Sequence, residues 1–189
     1  MVGMEVVAYF DDSSSESATW AATGVDSGAA SGTGWSLSEA GDTWDSNWTL
    51  SNSSTKGIAS LRIDAGLGDT AFDTYFNDLF GTTNSARGKD FAVTGGLVQA
   101  YGELDILATY KDLVALTGNP PVGDLYRRLK IDFTNSAFAS GSSNLTFVAD
   151  TDNFEFAGDL QVVPEPSTLL VWSLLASLGI GCGAYRRKR

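Results

Sequence analysis

The chain is predicted to be mainly β: an antiparallel β-sandwich of jelly-roll type with one short amphipathic helix, followed by one C-terminal transmembrane helix. Residues 125–134 alternate apolar and polar side chains, as expected of a strand with one buried and one wet face. Residues 23–56 are rich in Gly, Ser, Thr, Asp and Asn, which is typical of short strands and turns. Residues 169–184 contain no charge and precede a block of cations, as a membrane-spanning segment requires.

The N-terminal third of the chain is predicted to form short strands. Glu5–Phe10 is apolar and ends at Asp11 and Asp12, residues 13–17 are predicted to be a loop, and residues 18–22 a second strand. Ile58–Asp64 is a further strand, ended by Gly66 and Gly68.

One helix is predicted from Asp69 or Thr70 to Phe80. Its apolar positions recur with the spacing of one helix face, and Gly81 would end it. The aromatic and aliphatic residues of this face are Phe72, Tyr75, Phe76, Leu79 and Phe80. We expect this stripe to cover one end of the β core, with a partner surface as the alternative.

The rest of the body is predicted to be strands and loops. Residues 103–110 alternate like a strand and are predicted to be one, although Leu107, Leu113 and Leu116 also suit a helix. The remaining predicted strands are residues 91–93, 97–101, 145–148 and 153–156, with loops at 82–90, 118–124 and 135–144.

Composition excludes several classes of function. The net charge of −11, with four of the twelve basic residues at the last four positions, argues against binding to nucleic acid. The chain has no histidine, and its one cysteine, Cys182, lies in the apolar C-terminal run, so His-based catalysis, His-ligated zinc and a disulfide are not expected. No pair of acids stands out as a glycosidase pair, and we predict that the protein is not an enzyme.

Three tryptophans lie within fourteen residues and are candidate ligand-binding residues. Flat aromatic faces stack on sugar rings, so Trp35, Trp44 and Trp48 suggest a platform for an extracellular polysaccharide. The alternative is that they fill the core of a sandwich whose strands are otherwise built from small residues, and the second reading is favoured.

An acidic run near the end of the body is a candidate structural Ca²⁺ site. Asp150, Asp152 and Asn153 place oxygen ligands close together, and Ca²⁺ is a hard cation bound by such groups. In a jelly roll the first and last strands often lie side by side, so Asp11 or Asp12 would complete the site. A solvated acidic turn is the favoured alternative.

The C-terminus divides the chain into four parts. Residues 1–160 form the extracytoplasmic β domain, 161–168 a linker, 169–185 a transmembrane helix and 186–189 a basic cytoplasmic tail. The apolar run is short for a bilayer, at about 1.5 Å per residue. Two prolines in the linker hold its backbone extended and stop a helix from running upstream.

These residues resemble the PEP-CTERM sorting signal of bacterial exported proteins. The resemblance covers about residues 162–189 and combines a Pro-Glu-Pro triplet, a short Leu-rich span and a basic terminus in that order. It implies that an exosortase, a membrane-embedded processing enzyme, recognises and removes the tail, and that the protein is exported to the cell surface or extracellular matrix. The residues of the implied sorting signal are Pro164, Glu165, Pro166, Arg186, Arg187, Lys188 and Arg189.

The N-terminus departs from this pattern. Residues 1–10 carry no positive n-region and no apolar stretch of signal-peptide length, and they read as a strand. Export requires a leader, so we predict that the start of this sequence is truncated or misassigned.

Overall fold

The structure, a computed structural model, describes residues 1–75, 81–82, 85, 87–96, 105–118, 120–134, 138, 140–141, 143–154 and 160–162. In this part of the chain it consists of strands and one short 3₁₀ turn, Ala65–Gly68. The strands are β1 (Glu5–Phe10), β2 (Ser15–Thr19), β3 (Ala21–Ala22), β4 (Ser27–Gly32), β5 (Trp35–Ala40), β6 (Trp48–Asn52), β7 (Ile58–Asp64), β8 (Thr70–Asp73), β9 (Ala92–Gly96), β10 (Ile106–Leu116), β11 (Leu125–Phe133), β12 (Ser143–Val148), β13 (Thr151–Asn153) and β14 (Leu160–Val162).

The strands form two antiparallel sheets. The first runs in the order β13-β8-β11-β7-β1-β2, with β10 on the other edge of β11 and β14 paired to β10. The second runs β3-β4-β5-β6-β12-β9. The predicted antiparallel β architecture is therefore confirmed.

One apolar core lies between the sheets because each sheet turns alternate side chains inward. Leu129 and Ile131 of β11 are fully buried, and Leu37 and Leu50 of the second sheet belong to the same cluster. Each such leucine contributes about 1.5–3 kcal/mol when it is buried. Trp48 joins the sheets, since its ring lies 6.5 Å from that of Phe72 on β8.

The second sheet does not follow a jelly roll. A jelly roll is built from two Greek keys, whereas β3, β4, β5 and β6 are neighbours in chain order and form a meander. In the first sheet, β1 pairs with β2 and β7, and β13 pairs with β8. The first strand and β13 are consequently not side by side.

The structure differs from the prediction over residues 13–22. The loop predicted at 13–17 is wrong from Ser15 onwards. A tight turn, in which the amide of Ser14 donates to Asp12 Oδ1 at 3.0 Å, precedes β2, which begins at Ser15. The strand predicted at 18–22 is divided into β2 and β3 at Trp20, whose side chain is buried.

The predicted helix is wrong at its beginning. Thr70–Asp73 is strand β8, paired with β11 through Leu125↔Asp73 and Tyr126↔Phe72, and with β13 on its other side. These two ladders satisfy its backbone groups from both sides, which outweighs the helical spacing of its aromatic residues. The rest of the predicted helix, residues 76–80, lies outside the described residues.

Strand β10 decides the ambiguous region in favour of a strand. It continues to Leu116 and pairs with β11 from Ile106↔Phe133 to Leu113↔Tyr126, so the helical alternative is wrong. Strands Glu5–Phe10 and Ile58–Asp64 are found as predicted, and β11 covers Leu125–Phe133 of the predicted 125–134.

Four further expectations fall partly or wholly on residues outside the described ranges. The strand predicted at 97–101 lies outside them, and the strand predicted at 153–156 overlaps β13 only at Asn153. In the described residues no helix is long and apolar enough to cross a membrane. The predicted transmembrane helix 169–185 and basic tail 186–189 also lie outside.

Candidate functional site

Four aspartates lie on neighbouring segments at one end of the first sheet. Asp73 ends β8, Asp124 directly precedes β11, and Asp150 and Asp152 flank the start of β13. The backbone fixes this arrangement, because the amide of Asp73 donates to Asp150 O at 3.1 Å and the amide of Thr74 donates to Asp124 O at 2.9 Å. The site is therefore a product of strand pairing between distant segments.

Two of these carboxylates accept hydrogen bonds from neutral donors. Asp124 accepts hydrogen bonds from the amide and the hydroxyl of Thr82, the latter at 2.7 Å on Oδ1. Asp150 Oδ1 accepts from the hydroxyl of Thr43 and from the amide of Thr151, both at 2.8 Å. These bonds hold both side chains in fixed positions.

The other two carboxylates share one hydroxyl. Ser85 Oγ lies 2.8 Å from Asp73 Oδ2 and 2.6 Å from Asp152 Oδ2. Asp73 is only 1% exposed, and its second oxygen, Oδ1, has no hydrogen-bond partner among the described residues. Ser85 and Asp152 are half-buried, so the pair opens towards solvent on their side.

Burial raises the pKa of two of these acids, Asp73 and Asp150. Burial raises the pKa of Asp73 well above its usual value of 3.8, the Ser85 hydrogen bond opposes the rise, and neighbouring carboxylates, Asp152 first, add to it. Burial also raises the pKa of Asp150, against the hydrogen bond from Thr43.

The ammonium group of Lys89 points away from the four aspartates. The Lys89 backbone bridges the cluster, as its amide donates to Asp73 O and its carbonyl accepts from Asp150 N. Its ammonium instead donates to Trp44 O at 2.7 Å and lies 5.5 Å from the centre of the Trp44 ring. None of the ion pairs in the described part of the chain includes any of the four aspartates.

The predicted Ca²⁺ ligands are only partly brought together. Asp11 and Asp12 lie at the far end of β1, where Asp11 accepts from the amide of Gly57 at 3.1 Å and Asp12 pairs with Lys56 at 2.7 Å. Three strands separate β1 from β13 in the sheet, so the expected contribution of these two residues is wrong.

Asn153 also faces away from the shared hydroxyl. Its Oδ1 accepts from Thr70 Oγ1 at 2.9 Å and from the amino group of Met1. Asp152 and Asn153 are successive residues of β13, so their side chains point to opposite sides of the strand. The predicted Ca²⁺ site did not take this into account. Across the described ranges, no three acidic side chains converge as in a preformed metal centre.

The tryptophans divide between core and surface. Trp35 is 3% and Trp48 0% exposed, so the core reading is confirmed for both and the sugar platform is wrong for them. Their indole N–H groups donate at 2.9 Å to Glu16 Oε2 and to Ala149 O. Trp44 is half-buried and is the one of the three left at the surface.

Sequence reasoning missed two buried acids. Asp73 was assigned to a helix, so its place beside β11 and β13 was not foreseen. Glu39 follows Trp35 and Leu37 on the inward face of β5 and is 3% exposed. Neither of its carboxylate oxygens has a hydrogen-bond partner in the part of the chain that the structure describes. Burial, with a smaller effect from Asp42, raises its pKa to about 7. The alternation Trp35-Leu37-Glu39 is the sequence pattern from which the burial of Glu39 could have been predicted.

The predicted sorting residues, from Pro164 to Arg189, lie outside the described residues. The last described strand, β14, pairs with β10 through Val114↔Val162 and Leu116↔Leu160. Strand β14 therefore ends two residues before Pro164 in the sequence.

Comparisons with protein-family models, with curated proteins and with solved structures give no match to this chain.

Proposed function

We propose that this chain is an exported β-sandwich protein of the cell surface or extracellular matrix, sorted by its C-terminus. One observation carries the proposal: a Pro-Glu-Pro triplet, an uncharged Leu-rich run and four terminal cations follow one another at the end of the sequence. Each part has a physical role, since the prolines keep Glu165 on an extended segment, the apolar run enters the bilayer and the cations stay in the cytoplasm.

The end of the body supports this arrangement. Backbone pairing of β14 with β10 continues through Val162, and Pro164 follows two residues later in the sequence. A processing enzyme at the membrane surface would thus bind the triplet close to the folded domain. The partner implied is an exosortase-like enzyme, with the membrane contacted through residues 169–185.

The architecture fits a display role. The body carries no cysteine, so its fold does not depend on the redox state of the compartment. Its core is apolar, and its edge strand β2 is short and polar, a feature that discourages pairing with other chains. Binding of matrix polysaccharide stays a prediction and now rests on Trp44.

The test uses a bacterium with its own exosortase, in which the chain is fused behind a secretory signal peptide. We expect wild type to reach the surface or medium, as detected by immunoblot of the fractions. A variant combining Pro164→Ala, Glu165→Ala and Pro166→Ala should remain in the membrane fraction. Asp45→Ala, which removes an exposed acid from the body, is the control and should behave as wild type. Equal sorting of the triple variant and wild type would overturn the proposal.

A further inference from the structure

A cleft of about 400 Å³ lies at the end of the sandwich opposite the four aspartates. Three segments line it: the β1–β2 hairpin, the turn between β4 and β5, and the loop between β6 and β7. Its volume falls within the range of about 300–1,000 Å³ that is usual for small-molecule sites. The cleft is therefore large enough for a small organic ligand.

One lining residue, Glu16 of β2, is a carboxylate held in a fixed position. Its Oε2 accepts a hydrogen bond from the amide of Thr33 at 2.8 Å and another from the indole of Trp35 at 2.9 Å. The hydrogen bond from the Thr33 amide lowers the pKa of Glu16, so the group is ionised at neutral pH. Its other oxygen, Oε1, accepts no N–H bond in the described part of the chain. The cleft thus contains a charged acceptor whose position is set before a ligand arrives.

Two glycines make room for this arrangement. A Cβ atom at Gly32 would lie 2.5 Å from Glu16 Oε2 and 2.2 Å from Trp35 Nε1, so a side chain there would separate the carboxylate from the indole. Gly34 has a φ of 77°, and a Cβ atom there would lie 2.9 Å from Ser54 Cα. The turn between β4 and β5 therefore packs closely against the carboxylate on one side and the β6–β7 loop on the other.

A second lining residue, Lys56, supplies a charged donor. Its ammonium pairs with Asp12 at 2.7 Å and donates to Ser14 Oγ at 2.9 Å, which uses two of its three N–H groups. The same ammonium lies 5.5 Å from the centre of the Phe10 ring, which also lines the cleft and is only 5% exposed. One N–H group of Lys56 is left to donate to a ligand.

The remaining polar side chains of the cleft carry hydroxyl groups. Those of Thr33, Ser53 and Thr55 belong to exposed residues. A hydroxyl both donates and accepts, so each of these groups can bind a hydroxyl of a ligand in either sense. An ionised carboxylate and an ammonium line the same cleft, so a charged ligand of either sign meets a like charge there. The lining therefore favours an uncharged ligand that carries several hydroxyl groups.

We propose that this cleft binds a neutral saccharide, with Glu16 accepting hydrogen bonds from sugar hydroxyls and Lys56 donating one to them. Neighbouring hydroxyls of a sugar ring each donate and accept, which matches a lining of one fixed acceptor, one donor and several hydroxyls. The bonds to the two charged groups are the strongest of this set. The site is separate from Trp44, and saccharide binding here does not depend on the C-terminal sorting signal.

The experiment is a calorimetric titration of maltose, cellobiose, lactose and N,N′-diacetylchitobiose into the purified full chain, in a detergent without a sugar head group. We expect at least one of these disaccharides to bind with a dissociation constant below about 10 mM. Glu16→Gln removes the charge of the acceptor and should weaken that binding at least fivefold. Glu5→Gln makes the same change on the neighbouring strand β1, outside the cleft, and should bind within twofold of wild type. Circular dichroism establishes that each variant is folded.

Three results would overturn the site. These are no heat of binding with any of the disaccharides, unchanged affinity in folded Glu16→Gln, or an equal loss in Glu5→Gln. Glucuronic acid binding more tightly than glucose would overturn the choice of a neutral ligand. Should Glu16→Gln fail to fold, Thr55→Val removes only an exposed hydroxyl of the cleft, and unchanged affinity in that variant would count against the site.

Discussion

Glu39 on β5 lies directly opposite Gly28 on β4, and both side-chain positions face the interior of the sandwich. A Cβ atom at Gly28 would fall 2.1 Å from Trp20 Nε1, so the indole of Trp20 occupies the space beside this pair. The Glu39 carboxyl group is buried and has no hydrogen-bond partner among the described residues. Its protonation is consequently coupled to folding.

Glu39→Gln should remove a pH dependence of stability. The pKa of Glu39 rises from its ordinary 4.5 to about 7 in the folded chain because of burial. Below pH 4.5 the group is protonated in both states. Between pH 4.5 and 7 the unfolded chain loses the proton first, so stability falls as pH rises, by about 2–3 kcal/mol in all. Urea unfolding at pH 4.5 and pH 8 measures this, and a wild-type-minus-variant difference that is equal at both pH values would refute it.

Trp48→Phe should destabilise the fold far more than Trp44→Phe. Trp48 is fully buried, stacks on Phe147 at 6.1 Å, and donates to Ala149 O. Losing that bond and leaving a cavity costs about 2–4 kcal/mol. Trp44 is half-buried, and we expect less than about 1 kcal/mol. Chemical denaturation of both variants provides the comparison, and similar losses would show that the assignment of Trp48 to the core is wrong.

Gly88→Ala should damage the acidic cluster, whereas Gly95→Ala should be tolerated. A Cβ at Gly88 would lie 2.3 Å from both the Asp73 carbonyl carbon and Asp73 Oδ1, and this backbone is fixed by β8. At Gly95 it would meet Thr146 Oγ1 at 2.8 Å, a hydroxyl that can rotate away. We expect a loss of about 1–3 kcal/mol for the first variant and less than about 0.5 kcal/mol for the second. Thermal unfolding measures both, and a fully stable Gly88→Ala would contradict the described packing.

The terminal cations should set the orientation of the predicted membrane segment. Replacing Arg186, Arg187, Lys188 and Arg189 by Gln removes the charges that keep this end in the cytoplasm. We expect a smaller share of molecules with the body outside, as measured by protease treatment of intact spheroplasts. Replacing Arg62 and Lys130 of the body by Gln is the control. Unaltered protease accessibility in the terminal variant would argue against an orienting role.

Local patterns were sufficient wherever burial alternated regularly. Leu129, Ile131 and Phe133 turn to one face, and β11 was predicted almost to its ends. The alternation also places Trp35 and Trp48 on one face of their strands. Alternation alone does not determine whether that face packs against another sheet or is exposed to solvent. The position of their strands, β5 and β6, within the second sheet places both side chains in the core.

Pairing between distant segments was beyond the reach of local patterns. Phe72 fits a helical stripe, but β8 is a strand because β11 and β13 bind it on both sides. Asp112 adopts a positive φ of 59° within β10, which interrupts the alternation and explains why the following residues resembled a helix. The order of the strands likewise determines which acid lies near Asp152. This acid is Asp73, and not Asp11 or Asp12 as predicted.

The intact mass of the mature protein tests the sorting proposal most directly. The chain, fused behind a signal peptide, is purified from the host and from the same host without its exosortase gene. We predict a mass that lacks residues 169–189 in the first case and a full C-terminus in the second. A full-length C-terminus in both hosts, with the body at the surface, would contradict the proposal.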